Sequence, residues 1–324
     1  MPNSLKQKLG RALKQNEPLA SHVMFNIGGP AAYFYIAKTS EELITALKTA
    51  EASKVAYFIL GAGSNILVSD QGFNGLVIKP ENRAFEIKGE TVYAESGAII
   101  TEVLEATLKA GLVGWAWAAG LPGTIGGAIR GNAGAYGEAM SNVVTQATVY
   151  HRGAIKTLTP PALVFSYRHS MLKTDPTMVV LSATMQLRPG DVAKERAQVD
   201  AYNQRRADTQ PIELPNAGCV FKNIDLSVVE VNKDKVKRGL DISEEEFQTA
   251  TKFKKLPVSF IVDKLGLKGK QIGGAQVSEK HGAFIVNAGD ATAEDVITLM
   301  SDIKMRARNQ LGIQLQEEIQ LVGF

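Results

Sequence analysis

One cysteine stands among 324 residues, Cys219, within PNAGCVFKN (215–223). A thiol can serve as a chemical group, or it can fill a gap as a small apolar side chain. Asn216 and Gly218 before it suit a tight turn, and Lys222 and Asn223 after it offer donors to an anion. Three glycine-rich stretches widen the chemistry. In Gly61-Ala62-Gly63-Ser64-Asn65, directly after an apolar run, glycine lets backbone N–H groups turn toward an anion, and Ser and Asn add side-chain donors. A plain turn fits the same residues. The stretch is not a P-loop, because no Gly-Lys-Ser/Thr ending follows, nor a dinucleotide fingerprint, because Ile66 stands where the third glycine belongs. The second stretch, GLPGTIGGAIRGNAGAYG (120–137), has seven glycines in eighteen residues. It fits a loop threading a crowded core, or better a large polar ligand whose many groups satisfy bare backbone. The third, LKGKQIGGAQVSEKHGAFIVN (267–287), offers Lys268, Lys270 and Lys280 to phosphates.

These stretches need elements to hold them. The pattern predicts a short amphipathic helix over residues 1–20 that ends before Pro18, then a helix opened by Thr39-Ser40-Glu41-Glu42, whose acids suit the positive end of the helix dipole. Strands at AYFILG and GLVIK make the first eighty residues an α/β unit. FEIKGETVYAESG reads as a hairpin turning at Lys88-Gly89, and ITEVLEATLKAG as a helix closed by Gly111. VVTQATVYHRGAIKTLTP gives two strands joined at Arg152-Gly153, MVVLSATMQLR another, and VAKERAQVDAYNQRRADTQ a charged helix stopping before Pro211, where the main boundary is placed. Beyond it lie a polar stretch from Asp225 to Lys255 with a Ser243/Glu246 capping box, a helix VSFIVDKLG, a strand AFIVN, a long helix from about 293 to 311, and an alternating terminal strand, IQLQEEIQLVGF.

The totals exclude several classes. A composition 45% apolar and 21% charged, with a formal charge of +3, describes a soluble globular chain without a nucleic-acid surface. A lone cysteine forms no internal disulfide, and His22, His151, His169 and His281 lie far apart, so no metal site is expected. Twenty uncharged residues separate Lys109 from Arg130, but six are glycine and one is Pro122, so they read as buried loop and turn rather than a membrane span. No signal-peptide core precedes them, and a cytoplasmic location is expected.

Taken in order, FNIGGPAAYF (25–34), GAGSNILVSD (61–70), the tract at 120–137, FSYRHSMLK (165–173), PNAGCVFKN, GKQIGGAQVSEKHGAFIVN (269–287) and LQEEIQLVG (315–323) resemble the UDP-N-acetylenolpyruvoylglucosamine reductase family from about residue 19 onward. The resemblance implies an α+β / α/β protein. A two-lobed FAD-binding domain of the vanillyl-alcohol-oxidase (PCMH) type would occupy 19–190, with lobes of about 19–80 and 81–190. A separate C-terminal α+β substrate-binding domain would occupy 210–312, and a strand at 313–324 would return to the active site. It implies non-covalent FAD, NADPH as co-substrate, and reduction of UDP-N-acetylglucosamine enolpyruvate to UDP-N-acetylmuramate for peptidoglycan synthesis. The short path after Tyr167 resembles the compact type II subgroup. A monomer without nucleic-acid or membrane partners is expected. Another flavin-dependent oxidoreductase on the same scaffold is the alternative.

Residue by residue, the resemblance assigns Gly61, Ala62, Gly63, Ser64, Asn65, Ile66, Pro122, Gly123, Thr124, Gly126, Gly127, Asn132 and Gly134 to the cofactor. Tyr167, Lys222, Asn223 and His281 fall to the substrate. Arg168 takes the electrostatic role, suited by a planar fork that stays charged. Glu318 matches the second acid of the family's Leu-x-x-Glu pattern, and strand alternation separates it from Leu315, Glu317 and Ile319. Two positions depart from the family. Gln316 stands where an acid is usual, and Cys219 where the usual residue is the proton-donating serine. A thiol with an ordinary pKa of about 8.5 is still protonated near neutrality and can donate, so Cys219 reads as a replacement of the catalytic acid.

Overall fold

Helix and strand alternate at the start of the chain, and that order builds a parallel sheet. The computed structural model describes residues 2–324. It divides into two compact units: residues 2–17, 31–62 and 73–206 form the first, and residues 18–30, 63–72 and 207–324 the second. The exchange near the middle falls at Arg206–Ala207, and two short N-terminal pieces belong with the C-terminal unit.

In the first unit Phe73–Pro80 runs parallel to both Pro30–Ala37 and Tyr57–Ile59. The helix Ser40–Ala52 makes the crossover; Thr39 accepts a hydrogen bond from the Glu42 amide at 3.2 Å, and Glu41 and Glu42 occupy the first turn. A second, antiparallel sheet has five strands in the order Ala154–Leu158, Val144–His151, Met178–Gln186, Thr91–Glu95, Phe85–Lys88. Its hairpins turn at Gly89 and at Arg152-Gly153, all at positive φ, as expected from their sequences. The helix Ile100–Lys109 and the fully buried Trp115 pack in the core of this sheet.

In the second unit the strands Asn216–Cys219, Phe284–Asn287, Ala275–Val277 and Gln271–Ile272 form an antiparallel sheet, with the helix Ala293–Arg306 in the same core. The polar stretch folds as two capped helices, Lys233–Leu240 and Glu244–Thr251, the second opened by the expected box between Ser243 and Glu246. Val236, Leu240, Ile242 and Phe247 bury their side chains in the core, which explains why so charged a stretch is ordered.

Three expectations are corrected. The N-terminal helix ends at Leu9, near Gly10 at φ 63°, and Lys14–Pro18 is an edge strand instead. The apolar tract after Lys109 is not all loop: Ile125–Gly131 is helical, because Thr124 caps it and Ile125, Ala128 and Ile129 are buried, and tertiary packing outweighs glycine's weak propensity. The regular terminal strand is confined to Gln320–Val322, and its partner is Ile66–Val68, in parallel. Among the described residues no helix is long and apolar enough to cross a membrane.

Candidate active site

The glycine tract of the first unit has a packed face and a bare one. The Ile125 amide donates to Ala98 O and the Gly126 amide to Ser96 O, each at 2.9 Å, so the start of the helix is sewn to the end of the strand Thr91–Glu95. A Cβ on Gly126 would stand 2.8 Å from Ser96 Cβ, which no side chain tolerates. On Gly127 it would meet only Thr124 Oγ1 at 3.4 Å, and on Gly131 nothing within 4 Å. Gly126 is therefore required by packing, while Gly127 leaves backbone open to a ligand. Gly134 is enclosed by Glu138 and Ala139 of the adjoining strand. Gly61 lies against Thr124, its added Cβ 3.0 Å from the hydroxyl. Among the described residues, the amides of Gly61 and Ala62 donate to no protein acceptor. Bare amides beside a threonine hydroxyl suit the oxygens of a pyrophosphate or a polyol chain, so the residues of this unit fit FAD.

The same tract holds Arg168. Ser166 and His169 exchange backbone hydrogen bonds of 3.0 and 3.1 Å, leaving Tyr167 and Arg168 at the tip of a two-residue turn. Arg168 has φ 54°, in the left-handed region that a side chain other than glycine's occupies at a cost of about 1–2 kcal/mol. Three braces fix it. Lys173 Nζ donates to Arg168 O at 2.8 Å, Asn132 Nδ2 to Ser166 O at 2.9 Å, and Ser170 Oγ to Arg130 O at 2.7 Å. Asn132, itself at φ 44°, also accepts from the Ser141 amide through Oδ1 at 3.0 Å, so its side chain works within the protein. The half-buried guanidinium lies 5.3 Å from the centre of the Tyr167 ring.

The second unit brings Cys219 and Glu318 onto adjoining backbone. Gly218, at φ 78°, precedes the thiol, and Asn216 Oδ1 accepts the Gly218 amide at 2.9 Å, an Asx turn. Asn216 Nδ2 donates to Leu214 O at 2.8 Å and Pro211 O at 3.1 Å. The pairing with the strand Phe284–Asn287 slips between Asn216 and Cys219, a bulge of the kind that re-aims a side chain. Cys219 is half-buried. One residue on, Val220 O accepts the Glu318 amide at 2.9 Å, and Gln316 O accepts the Lys222 amide at the same distance. The Gln320 amide then donates to Asn65 O at 3.0 Å, while Asn65 Nδ2 donates to Glu318 O at 3.2 Å. The tail therefore runs from the cysteine segment to the GSN turn. In that turn the amides of Gly63, Ser64 and Asn65 donate to no acceptor among the described residues.

Along the tail Leu315 and Ile319 are buried and Gln316 is exposed, while Glu317 and Glu318 are both half-buried. Glu317 pairs with Lys304; burial pushes its carboxyl up, but the ammonium beside it more than offsets this and holds it below the ordinary value. His281 Nδ1 accepts the Ala283 amide at 3.3 Å, and the ring meets Phe284 edge-on at 4.9 Å. Burial, and then the charge of Lys268, push its pKa down, so the ring is neutral at pH 7 and presents Nε2–H as a donor. Asn223 Oδ1 accepts the Val258 amide at 3.0 Å and caps the helix Val258–Lys264, which leaves Nδ2 as its group for a ligand. The three lysines expected to be available for phosphate are each held by acids: Lys268 by Asp263, Lys270 by Asp302 and Lys280 by Glu213. Asn216 was legible as a turn residue; the braces Lys173 and Asn132 carry no local signal, because their partners are remote in pattern if not in sequence.

A family model for the C-terminal domain of UDP-N-acetylenolpyruvoylglucosamine reductase matches residues 210–322, and a model for an FAD binding domain matches residues 30–158. The UDP-N-acetylenolpyruvoylglucosamine reductase of Caldanaerobacter subterraneus is 35% identical over 334 residues, covering 100% of this chain and 99% of the relative. That of Lactobacillus delbrueckii is 37% identical over 320 residues, covering 97% and 96%. The crystal structure of UDP-N-acetylenolpyruvylglucosamine reductase (MurB) from Thermus caldophilus is similar with a TM-score of 0.73 at 28% identity, over 96% of this chain and 98% of that one.

Proposed function

Since the chain belongs to the UDP-N-acetylenolpyruvoylglucosamine reductase family, we propose that it reduces UDP-N-acetylglucosamine enolpyruvate to UDP-N-acetylmuramate with NADPH, a step of peptidoglycan precursor synthesis. The observation that carries the reading to this chain's own residues is the seating of the tail, which puts Glu318 in hydrogen-bonded register with the neighbour of Cys219. Bound FAD would supply the chemistry of carrying reducing equivalents from NADPH to the enolpyruvyl double bond. Gly61, Ala62, Thr124 and Gly127, then Gly63, Ser64, Asn65 and Ile66, would hold it, with Pro122, Gly123, Gly126, Asn132 and Gly134 shaping the tract.

Reduction places negative charge on the α-carbon and carboxylate of the substrate. Arg168 meets that charge from a turn whose backbone is already braced, so little reorganisation accompanies the step. Cys219 delivers the proton to the α-carbon as general acid. Glu318, on the adjoining segment, assists that proton delivery. The Nε2–H of His281, the Nδ2 of Asn223, Lys222 and the Tyr167 hydroxyl bind the nucleotide sugar. Replacement of serine by cysteine at 219 keeps the reaction class, because both groups donate.

The absorption spectrum of the purified protein tests the reading. A flavin band is expected, bleached by NADPH and restored anaerobically by the enolpyruvyl substrate. A protein that binds no flavin, or one whose bleached band the substrate leaves unrestored, overturns it.

A further inference from the structure

Asn65 belongs to a turn whose amides at 63–65 donate to no acceptor among the described residues, yet its side chain is engaged. Its Nδ2 donates to Glu318 O at 3.2 Å, and its own carbonyl accepts the Gln320 amide at 3.0 Å. One residue therefore brackets Glu318 from the C-terminal side, and the Glu318 amide is held from the other by Val220 O at 2.9 Å. The stretch carrying Asn65 is itself anchored. Ile66–Val68 pairs with Gln320–Val322, and the Ser69 amide donates to Val322 O at 2.8 Å. Asp70 then receives the Ala293 amide at 2.9 Å on Oδ1 and the Glu294 amide at 3.2 Å on Oδ2. A carboxylate spanning the first two amides of the helix Ala293–Arg306 is a firm tether, favoured by the dipole at that end. The segment 65–70 is thus fixed at its far end to a helix of 14 residues, and its near end grips the acid.

We infer that Asn65 is a positioning residue for Glu318: through its side-chain amide it sets where the carboxylate of residue 318 stands during proton delivery. Its backbone amide, which donates to no acceptor among the described residues, stays available to the cofactor, so residue 65 serves the ligand through its backbone and the acid through its side chain. Loss of the Nδ2 donor leaves the Glu318 carbonyl without that partner and frees the backbone rotation that aims its side chain. The inference rests on the reading of Glu318 given above.

The test uses full-length, FAD-saturated protein carrying Asn65→Ala or Asn65→Asp, beside Glu318→Gln. Bleaching of the flavin by NADPH is followed in the same variants, and any loss there is expected to be at least tenfold smaller than the loss in restoration. Restoration by the enolpyruvyl substrate should slow at least tenfold with KM within threefold, and the pH profile of that step should shift. Amide hydrogen exchange of residues 316–322 should quicken without a matching change in the sheet around Phe284–Asn287. A loss that follows FAD occupancy alone, or an equal loss in both half-reactions, overturns the inference and leaves Asn65 a cofactor residue only. If Glu318→Gln itself restores the band at the parent rate, the reading of Glu318 fails first; if it slows and the Asn65 variants do not, only the positioning role fails.

Discussion

Two tight turns present Arg168 and Cys219, the side chains proposed to act on the substrate, and they treat backbone strain in opposite ways. At Ser166–His169 the left-handed position is occupied by Arg168 itself, at φ 54°. At Asn216–Cys219 the left-handed position is Gly218, at φ 78°, and the chemical residue follows it in relaxed backbone. The second turn is the cheap solution. The first needs Lys173, Asn132 and Ser170 around it to persist. A turn that glycine would stabilise but that carries arginine points to a demand on the side chain, the direction in which strain and function are properly connected.

The largest expected effect tests the relaxed turn. Cys219→Ala should slow substrate reduction by about 10²–10⁴-fold, the usual worth of a positioned acid, with flavin bleaching by NADPH unchanged, while Cys219→Ser keeps substantial turnover. Single-turnover restoration of the flavin band measures both, and a parental rate in the alanine variant would remove the thiol from the chemistry. Next comes the strained turn. Arg168→Ala and Arg168→Gly should both cost about 10²–10³-fold in substrate reduction, as loss of a fixed charge stabiliser does. The glycine variant should nevertheless be the more stable of the two by about 1 kcal/mol; equal denaturant midpoints would mean that the φ at 168 stores nothing. The mirror experiment is Gly218→Ala, expected to lose about 1–2 kcal/mol, although an added Cβ there meets nothing nearer than Ser64 O at 3.9 Å.

A milder contrast sits within the glycine tract. Gly126→Val should lower thermal stability, because its side chain enters Ser96. Gly127→Val should fold normally and lose FAD, as titration of the apoprotein with cofactor would show; unaltered FAD affinity would place the ligand elsewhere. The smallest effect concerns pH. Since His281 titrates below its ordinary 6.5 in the fold, the unfolded chain takes up its proton first as pH falls. Stability is complete above about 6.5 and declines below it toward the folded pKa. His281→Gln should flatten that decline in urea midpoints between pH 5 and 7.

Much of this was readable from sequence where the cause is local. The Thr39 and Ser243 caps and the turns at Lys88-Gly89 and Arg152-Gly153 follow from residue types at fixed offsets. What escaped is non-local. Nothing in KQNEP announces an edge strand, because only the neighbour Pro30–Ala37 makes it one. IGGAIRG becomes helical through its cap and three buried side chains, against its glycine content. The family pattern nominated Arg168, Cys219 and Glu318, but the brace at Asn132 and the grip of Asn65 on the tail arise only once distant segments meet, and the brace at Lys173, five residues from Arg168, follows no motif of fixed offset.

That last meeting has a consequence for biosynthesis. Asn65 and Glu318 are 253 positions apart. At roughly 5–20 residues per second, translation separates their emergence by on the order of 10–50 s. Throughout that interval Ile66, Leu67 and Val68, buried in the finished protein, lack the strand they pair with, an apolar segment of the sort on which nascent chains stick to one another. The turn built for a cofactor is made early, the acid arrives last, and any protein released before the tail emerges would carry the first without the second.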